Sequence, residues 1–259
     1  MMTIMKIADR DLVYRVKGHA KGKNGHALIF IHGSGGDHHV WGGQFDDLGR
    51  DFHVVALDLP GHGSSGGAGE DDVMRYCEWV QGMIAALNIQ RHLIIGHSLG
   101  GAVALAAALT PADTLSGIVV VGGGARMPVN PMVLEGLLKD PAAMMGLAAD
   151  VAVAKKNRDR LRPFLEEGFQ RCAPAVIHGD FLSCDRFDIT DAVSQIRIPT
   201  LVICGEDDKM MPPQFSRHLS THIEHSRLSL IPECGHFPML ETPAVFNAML
   251  REFAGELSD

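Results

Sequence analysis

The sequence predicts an α/β fold: a mostly parallel, doubly wound central sheet with flanking helices and one inserted helical segment. Three observations point there. Short unbroken apolar runs recur along the chain, as strands buried on both faces of a parallel sheet require. Stretches with helical apolar spacing alternate with them. That alternation fails once, over residues 126–196.

The strand runs lie at residues 27–31, 53–57, 92–95, 117–121, 200–204 and 227–231. Ahead of them, residues 12–16 predict an antiparallel edge hairpin with residues 3–8. Val73, Cys77, Val80, Ile84 and Leu87 step by four and three, which puts one apolar stripe on a helix. Residues 99–109 are rich in Ala and Leu and favour a helix. Thr242 reads as an N-cap before Pro243, with Phe246, Met249, Leu250 and Phe253 as the buried face that follows. Repeated strand–helix units imply right-handed crossovers and a sheet covered on both sides. Residues 126–196 carry five prolines (Pro128, Pro131, Pro141, Pro163, Pro174), a Met-rich part and no strand run. They predict a helical cap, with residues 1–125 and 197–259 as the core. Such a cap would sit over the C-terminal edge of the sheet, where open α/β folds bind ligands.

Composition narrows the function. Hydrophobic residues make up 46% and charged residues 21% of 259, so a large core can form. Lys and Arg number 23 against 31 Asp and Glu, a net charge of −8, the wrong sign for a nucleic-acid partner. Five cysteines without a C-x-x-C pair argue against a disulfide framework or structural zinc, and predict free thiols in a reducing compartment. The first residues lack the apolar core of a signal peptide, and no run approaches membrane-span length. A cytoplasmic protein without a membrane partner is expected.

Gly96-His97-Ser98-Leu99-Gly100 is the sharpest motif. It fits G-x-S-x-G between an apolar strand and a helix, a turn that lifts a serine hydroxyl above the sheet edge. Serine needs a base, itself oriented by a carboxylate. His236 follows the last strand run and supplies the base. Glu206, Asp207 and Asp208 follow the run before it, and spacing does not choose among them. After residues 117–121 the chain reads Gly122-Gly123-Gly124-Ala125, which offers no acid. The loop His32-Gly33-Ser34-Gly35-Gly36 is placed to give one oxyanion donor, the Ser34 N–H, while Leu99 N–H gives the other. His32 and His62 read as loop braces, and His38 and His39 as structural or surface residues. No metal motif or dinucleotide-binding motif is present, so no metal and no cofactor are expected.

Together His32-Gly33, Asp58-Leu59-Pro60-Gly61-His62-Gly63-Ser64, the Ser98 motif, Gly205 to Pro212 and Gly235-His236-Phe237-Pro238 resemble the α/β-hydrolase superfamily, over residues 25–255. In that family the acid stands three residues after the glycine and four before the proline. The resemblance therefore selects Asp208 over Asp207. Ser98 excludes the haloalkane dehalogenase and epoxide hydrolase branches, which place Asp there. The loop at 32–36 does not match proline iminopeptidases. Small carboxylesterases, enol-lactonases and C–C hydrolases of aromatic ring degradation remain. Many C–C hydrolases carry Pro and Trp where Gly36 and Phe237 stand, which counts against that activity. The resemblance thus implies a serine hydrolase acting on carboxylic esters of small to medium apolar substrates. Lactone or C–C bond hydrolysis, or cofactor-free perhydrolysis, is the alternative on the same residues. A small-molecule receptor is the remote one.

Overall fold

The computed structural model describes residues 2–7, 10–18, 25–110 and 112–257. The strands are β1 (Met2–Ile7), β2 (Arg10–Lys17), β3 (Ala27–Ile31), β4 (His53–Leu57), β5 (His92–His97), β6 (Leu115–Val121), β7 (Thr200–Gly205) and β8 (Ser226–Ile231). They form one sheet in the order β1-β2-β4-β3-β5-β6-β7-β8. The β1–β2 hairpin is antiparallel, as is β2 against β4; every other pair is parallel. Residue 8 of the expected hairpin lies outside the described residues. Chain order reverses between β3 and β5, so the loops leaving these neighbours diverge and open a crevice at the sheet's C-terminal edge.

Side chains alternate across the sheet and seed two cores. Ile29 and Ile31 pack on one face with α2 (Val73–Ala86) and α3 (Leu99–Leu109). Leu28 and Phe30 pack on the other with α1 (Gly42–Leu48) and α10 (Pro243–Glu256). In α2 the expected stripe is buried at Val73, Cys77, Val80 and Ile84, and the Asp72 carboxylate caps the helix by accepting from Met74 N–H at 2.8 Å. Every residue from Leu99 to Ala107 is buried, because α3 lies between the sheet, α2 and the inserted helices. Pro243 does open α10. The Thr242 hydroxyl, however, donates to Pro238 O at 3.2 Å, within the short α9 (Pro238–Glu241), instead of capping α10. The remaining core helix, α8 (Pro213–His222), leads into β8.

Between β6 and β7 the chain forms α4 (Pro131–Lys139), α5 (Pro141–Val151), α6 (Arg158–Gln170) and α7 (Pro174–Arg186). Three of the prolines start helices, where their missing N–H costs nothing. Asn130 and Asp140 cap α4 and α5 by accepting from Met132 N–H and Ala143 N–H. The segment leaves and returns at one point: Arg126 and Asp188 form an isolated antiparallel bridge, and Ile189 N–H donates to Ala125 O at 2.8 Å. Val193 and Ile196, though within the range read as insertion, pack into the main core. Among the described residues, no helix is long and apolar enough to cross a membrane.

The second core is centred on Trp41, fully buried with its ring 4.9 Å from Phe30 and 6.2 Å from Phe246. Trp41→Ala is expected to cost about 3–5 kcal/mol, read as a lowered urea midpoint with an unchanged slope.

Candidate active site

Ser98 sits between β5 and α3 with φ +53° and ψ −115°, a conformation that a non-glycine residue adopts only when its surroundings enforce it. Ser98 N–H donates to Val121 O at 2.8 Å, and Ser98 O accepts from Gly101 N–H at 2.8 Å. The turn is tight on both sides. A Cβ on Gly96 would strike the Gly100 carbonyl, and one on Gly100 would strike the carbonyls of Ile31 and His32. Both motif glycines are thus required by close backbone approach. Leu99 opens α3, so its N–H has no acceptor one turn back, and it lies at the positive end of the helix.

His236, in the loop after β8, donates from Nδ1 to Asp208 Oδ2 at 2.8 Å, and both side chains are buried. This bond leaves Nε2 as the basic nitrogen. Asp208 Oδ1 accepts from the N–H groups of Met210 and Met211, each at 2.9 Å. Those two bonds fix the carboxylate's plane. Glu206 and Asp207 are exposed, so only the third acid of the run faces the imidazole. Gly122, at the position that lacked an acid, passes directly against this pair: a Cβ there would lie 2.9 Å from His236 Nδ1 and 3.3 Å from Asp208 Oδ2. Ser98 and His236 share one cavity wall. Among the described residues no hydrogen bond joins them.

Two neutral histidines support the loops. His32 donates from Nδ1 to Gly33 O at 2.8 Å and accepts Leu59 N–H on Nε2 at 3.0 Å. Burial, assisted by nearby His62, lowers its pKa to about 4, so it braces the loop after β3 without charge. His97 donates from Nε2 to His236 O at 2.9 Å. Burial and the neighbouring His236 hold its pKa well below the ordinary value. Next to the bend, Gly36 N–H donates to Gly33 O at 3.0 Å and Gly35 N–H to Asp180 Oδ2 at 2.8 Å. Asp37 is buried and paired with Arg171 of the insertion at 2.7 Å.

A cavity of about 330 Å³ opens over Ser98, with Ser34, His97 and His236 in its wall. The inserted helices and the loops around them supply Met127, Val133, Met144, Met145 and Phe169. Methionine re-packs readily around different apolar shapes. Among the described residues that line it, Lys209 alone carries a fixed charge. A larger recess of about 760 Å³, between the bridge at Asp188 and α8, contains neither Ser98 nor His236. Among the described residues, no group of three or more His, Cys, Asp or Glu side chains is placed to hold a metal ion. His38 and His39 stack on each other and are held by Asp58 and Asp37 respectively.

A sequence model of the alpha/beta hydrolase family matches residues 28–249. The chain belongs to this family. It is 29% identical over 246 residues to the dihydrolipoyllysine-residue acetyltransferase component of the acetoin cleaving system of Pseudomonas putida, a match that covers 90% of this chain and 64% of that longer protein. The chain therefore spans less than two thirds of that relative. It is 26% identical over 239 residues to the pimeloyl-(acyl-carrier protein) methyl ester esterase of Nitrosomonas europaea, covering 86% of this chain and 93% of the esterase. The solved structure of a thermophilic esterase is similar at a TM-score of 0.85 and 29% identity, covering 99% of this chain and 98% of that one.

Several residues of this hydrolase-family site escaped the sequence reading. Asp180 is one. Glu241 of α9 is another: its Oε1 accepts Gly235 N–H at 2.8 Å, while Oε2 accepts Ala154 N–H at 2.8 Å and Asn157 Nδ2 at 2.9 Å. His236 N–H itself donates to Ala152 O at 2.6 Å. Little local marks these groups: Gly235 lies six residues from Glu241, but the other partners named here are more than 80 residues away. The Met-rich stretch was the one usable signal for the cavity wall.

Burial alone would raise the Asp37 carboxyl, but the Arg171 guanidinium and the His39 N–H outweigh it and hold the pKa at about 2. A depressed carboxylate stabilises the fold above its unfolded value of 3.8, and that contribution is lost as pH falls toward about 2. Arg171→Gln is therefore expected to be less stable than the parent at pH 5, with the gap narrowing by pH 3. A gap in urea midpoint that stays constant across this range would contradict the pairing.

Proposed function

We propose that this chain is a serine hydrolase that cleaves carboxylic esters of small to medium, mainly apolar substrates through an acyl-enzyme. The observation that carries the reading is a strained serine and a buried His–Asp pair opening into one apolar cavity. In this scheme Ser98 Oγ attacks the ester carbonyl carbon while His236 Nε2 takes its proton. Asp208 keeps the imidazole in the Nδ1–H tautomer and stabilises its charged form. The N–H groups of Ser34 and Leu99 bind the developing oxyanion; loss of one such donor typically costs about 2.7–4 kcal/mol of transition-state stabilisation. His236 then hands the proton to the departing alcohol, and water, activated by the same nitrogen, releases the acid. Residues 126–196 act as the cap that shapes the pocket, over a core of residues 1–125 and 197–259. The two esterases among the relatives above support ester chemistry, and the apolar wall supports apolar acyl or alcohol groups.

Fluorophosphonate labelling tests this directly: the parent is expected to label on Ser98 and Ser98→Ala not at all. Equal labelling of both would sink the proposal. On p-nitrophenyl esters, Ser98→Ala should lower kcat by on the order of 10⁴-fold or more. Asp208→Asn should lose most of the activity, whereas Asp207→Asn should stay within about threefold of the parent, since its side chain faces solvent. A panel of aryl esters, lactones, vinylogous 1,5-diketones and peroxide as acyl acceptor ranks the ester reading against its alternatives. Faster turnover of a non-ester class would replace it.

A further inference from the structure

One carboxylate of the insertion has no part in that scheme, yet it reaches the site. Asp180, in the second turn of α7, is fully buried. Its Oδ2 accepts from Gly35 N–H at 2.8 Å and from His62 Nε2 at 2.8 Å, and its Oδ1 accepts from the Tyr76 hydroxyl at 2.6 Å. The donors come from three core segments: the loop after β3, the turn after β4, and α2. The acceptor comes from the inserted helices. A buried carboxylate persists only where its donors are complete, so this contact demands one geometry.

His62 is shifted by its partner. Burial works against a charged His62, but the Asp180 charge and hydrogen bond raise its pKa well above the ordinary value. A backbone N–H can only donate, so Asp180 Oδ2 is the acceptor of the Gly35 bond. The Gly35 peptide must therefore turn its N–H toward α7. Packing agrees with the hydrogen bond. Gly35 has φ +64°, and a Cβ there would lie 3.2 Å from both Ile177 and Phe169 of the insertion. Two bonds thus flank Ser34, one from Gly35 N–H to Asp180 and one from Gly36 N–H back to Gly33 O. The peptide that carries the Ser34 N–H is held between them.

We propose that Asp180 is a positioning residue of the oxyanion hole: reaching out of the inserted helices, it fixes the Gly35 N–H and thereby aims the Ser34 N–H at the acyl oxygen. The hole is then complete only when the insertion is docked on the core. This rests on the reading of Ser98 as nucleophile and of the Ser34 and Leu99 N–H groups as oxyanion donors.

Asp180→Asn keeps the shape but replaces one acceptor oxygen with a donor. The expected result is a kcat lowered by tenfold to a hundredfold with KM within threefold of the parent. Affinity for an alkyl trifluoromethyl ketone, whose hemiketal oxyanion occupies the hole, should weaken in step with kcat/KM. The Gly35 amide proton, followed by NMR, should exchange at least tenfold faster. A folded variant with kcat and ketone affinity within twofold of the parent overturns the proposal, as does a loss confined to KM. Should Asp180→Asn not fold, Tyr76→Phe removes a single donor to Oδ1; a severalfold loss in kcat and ketone affinity together supports the role, and no loss overturns it. The amide exchange separates this inference from the one beneath it. A parent that fails to label with fluorophosphonate sinks the hydrolase reading, whereas unchanged Gly35 exchange in Asp180→Asn sinks the positioning role even if labelling succeeds.

Discussion

The structure depends on the backbone at Ser98. A serine at φ +53° is held in place by the Val121 carbonyl, by the first turn of α3 and by two glycines with no room for a side chain. Because Gly100 rests against the carbonyls that end β3, the strand leading into the Ser34 loop and the helix carrying Leu99 are locked to the same turn. Strain of this kind survives only where the surroundings over-determine it. Here the surroundings are the parallel pairs β3–β5 and β5–β6, both buried on each face. The sheet therefore does more than support the turn: it sets which loops can meet above it.

Two buried carboxylates play matching parts at two loops of the site. Asp180 joins the insertion to the loop after β3, and Glu241 joins the loop of His236 to Ala154 and Asn157 of the insertion. Each satisfies backbone N–H groups that a loop cannot satisfy alone. The proposed oxyanion loop and base loop are thus ordered by contacts to the helices that also wall the pocket. Pocket shape and the geometry of these loops become coupled, because the same helices serve both.

Histidines divide by their partners. His32 and His97 are buried without a carboxylate and stay neutral, one bracing Gly33 and Leu59, the other holding the His236 carbonyl. His62 and His236 each face a buried carboxylate. His62 is consumed by the ion pair that anchors α7. For His236 the bond through Nδ1 leaves Nε2 free for the proposed role of base. The same side chain is a brace, an anchor or a proposed base according to what its second nitrogen meets.

Much of this was legible in the chain. Apolar runs marked the six parallel strands; five are buried along nearly their whole length, whereas β8, at the sheet edge, is largely half-buried and alternates Leu228-Ser229-Leu230. Gly96 and Gly100 marked the turn, since no other residue fits so close to backbone. His236 and the acidic run after β7 could be named from their places at strand ends, and the absence of a strand run marked residues 126–196 as helical, with three of the five prolines there opening helices in the fold. Which acid faces the imidazole was settled in the sequence only by resemblance; in the fold it follows from burial, with Asp208 turned inward and Glu206 and Asp207 left in water. The partnership of Gly35, His62 and Tyr76 with Asp180 could not be read locally at all. Periodicity and motif spacing report interactions within a few residues, whereas a buried carboxylate takes its donors from wherever packing brings them, and that is decided by the tertiary structure alone.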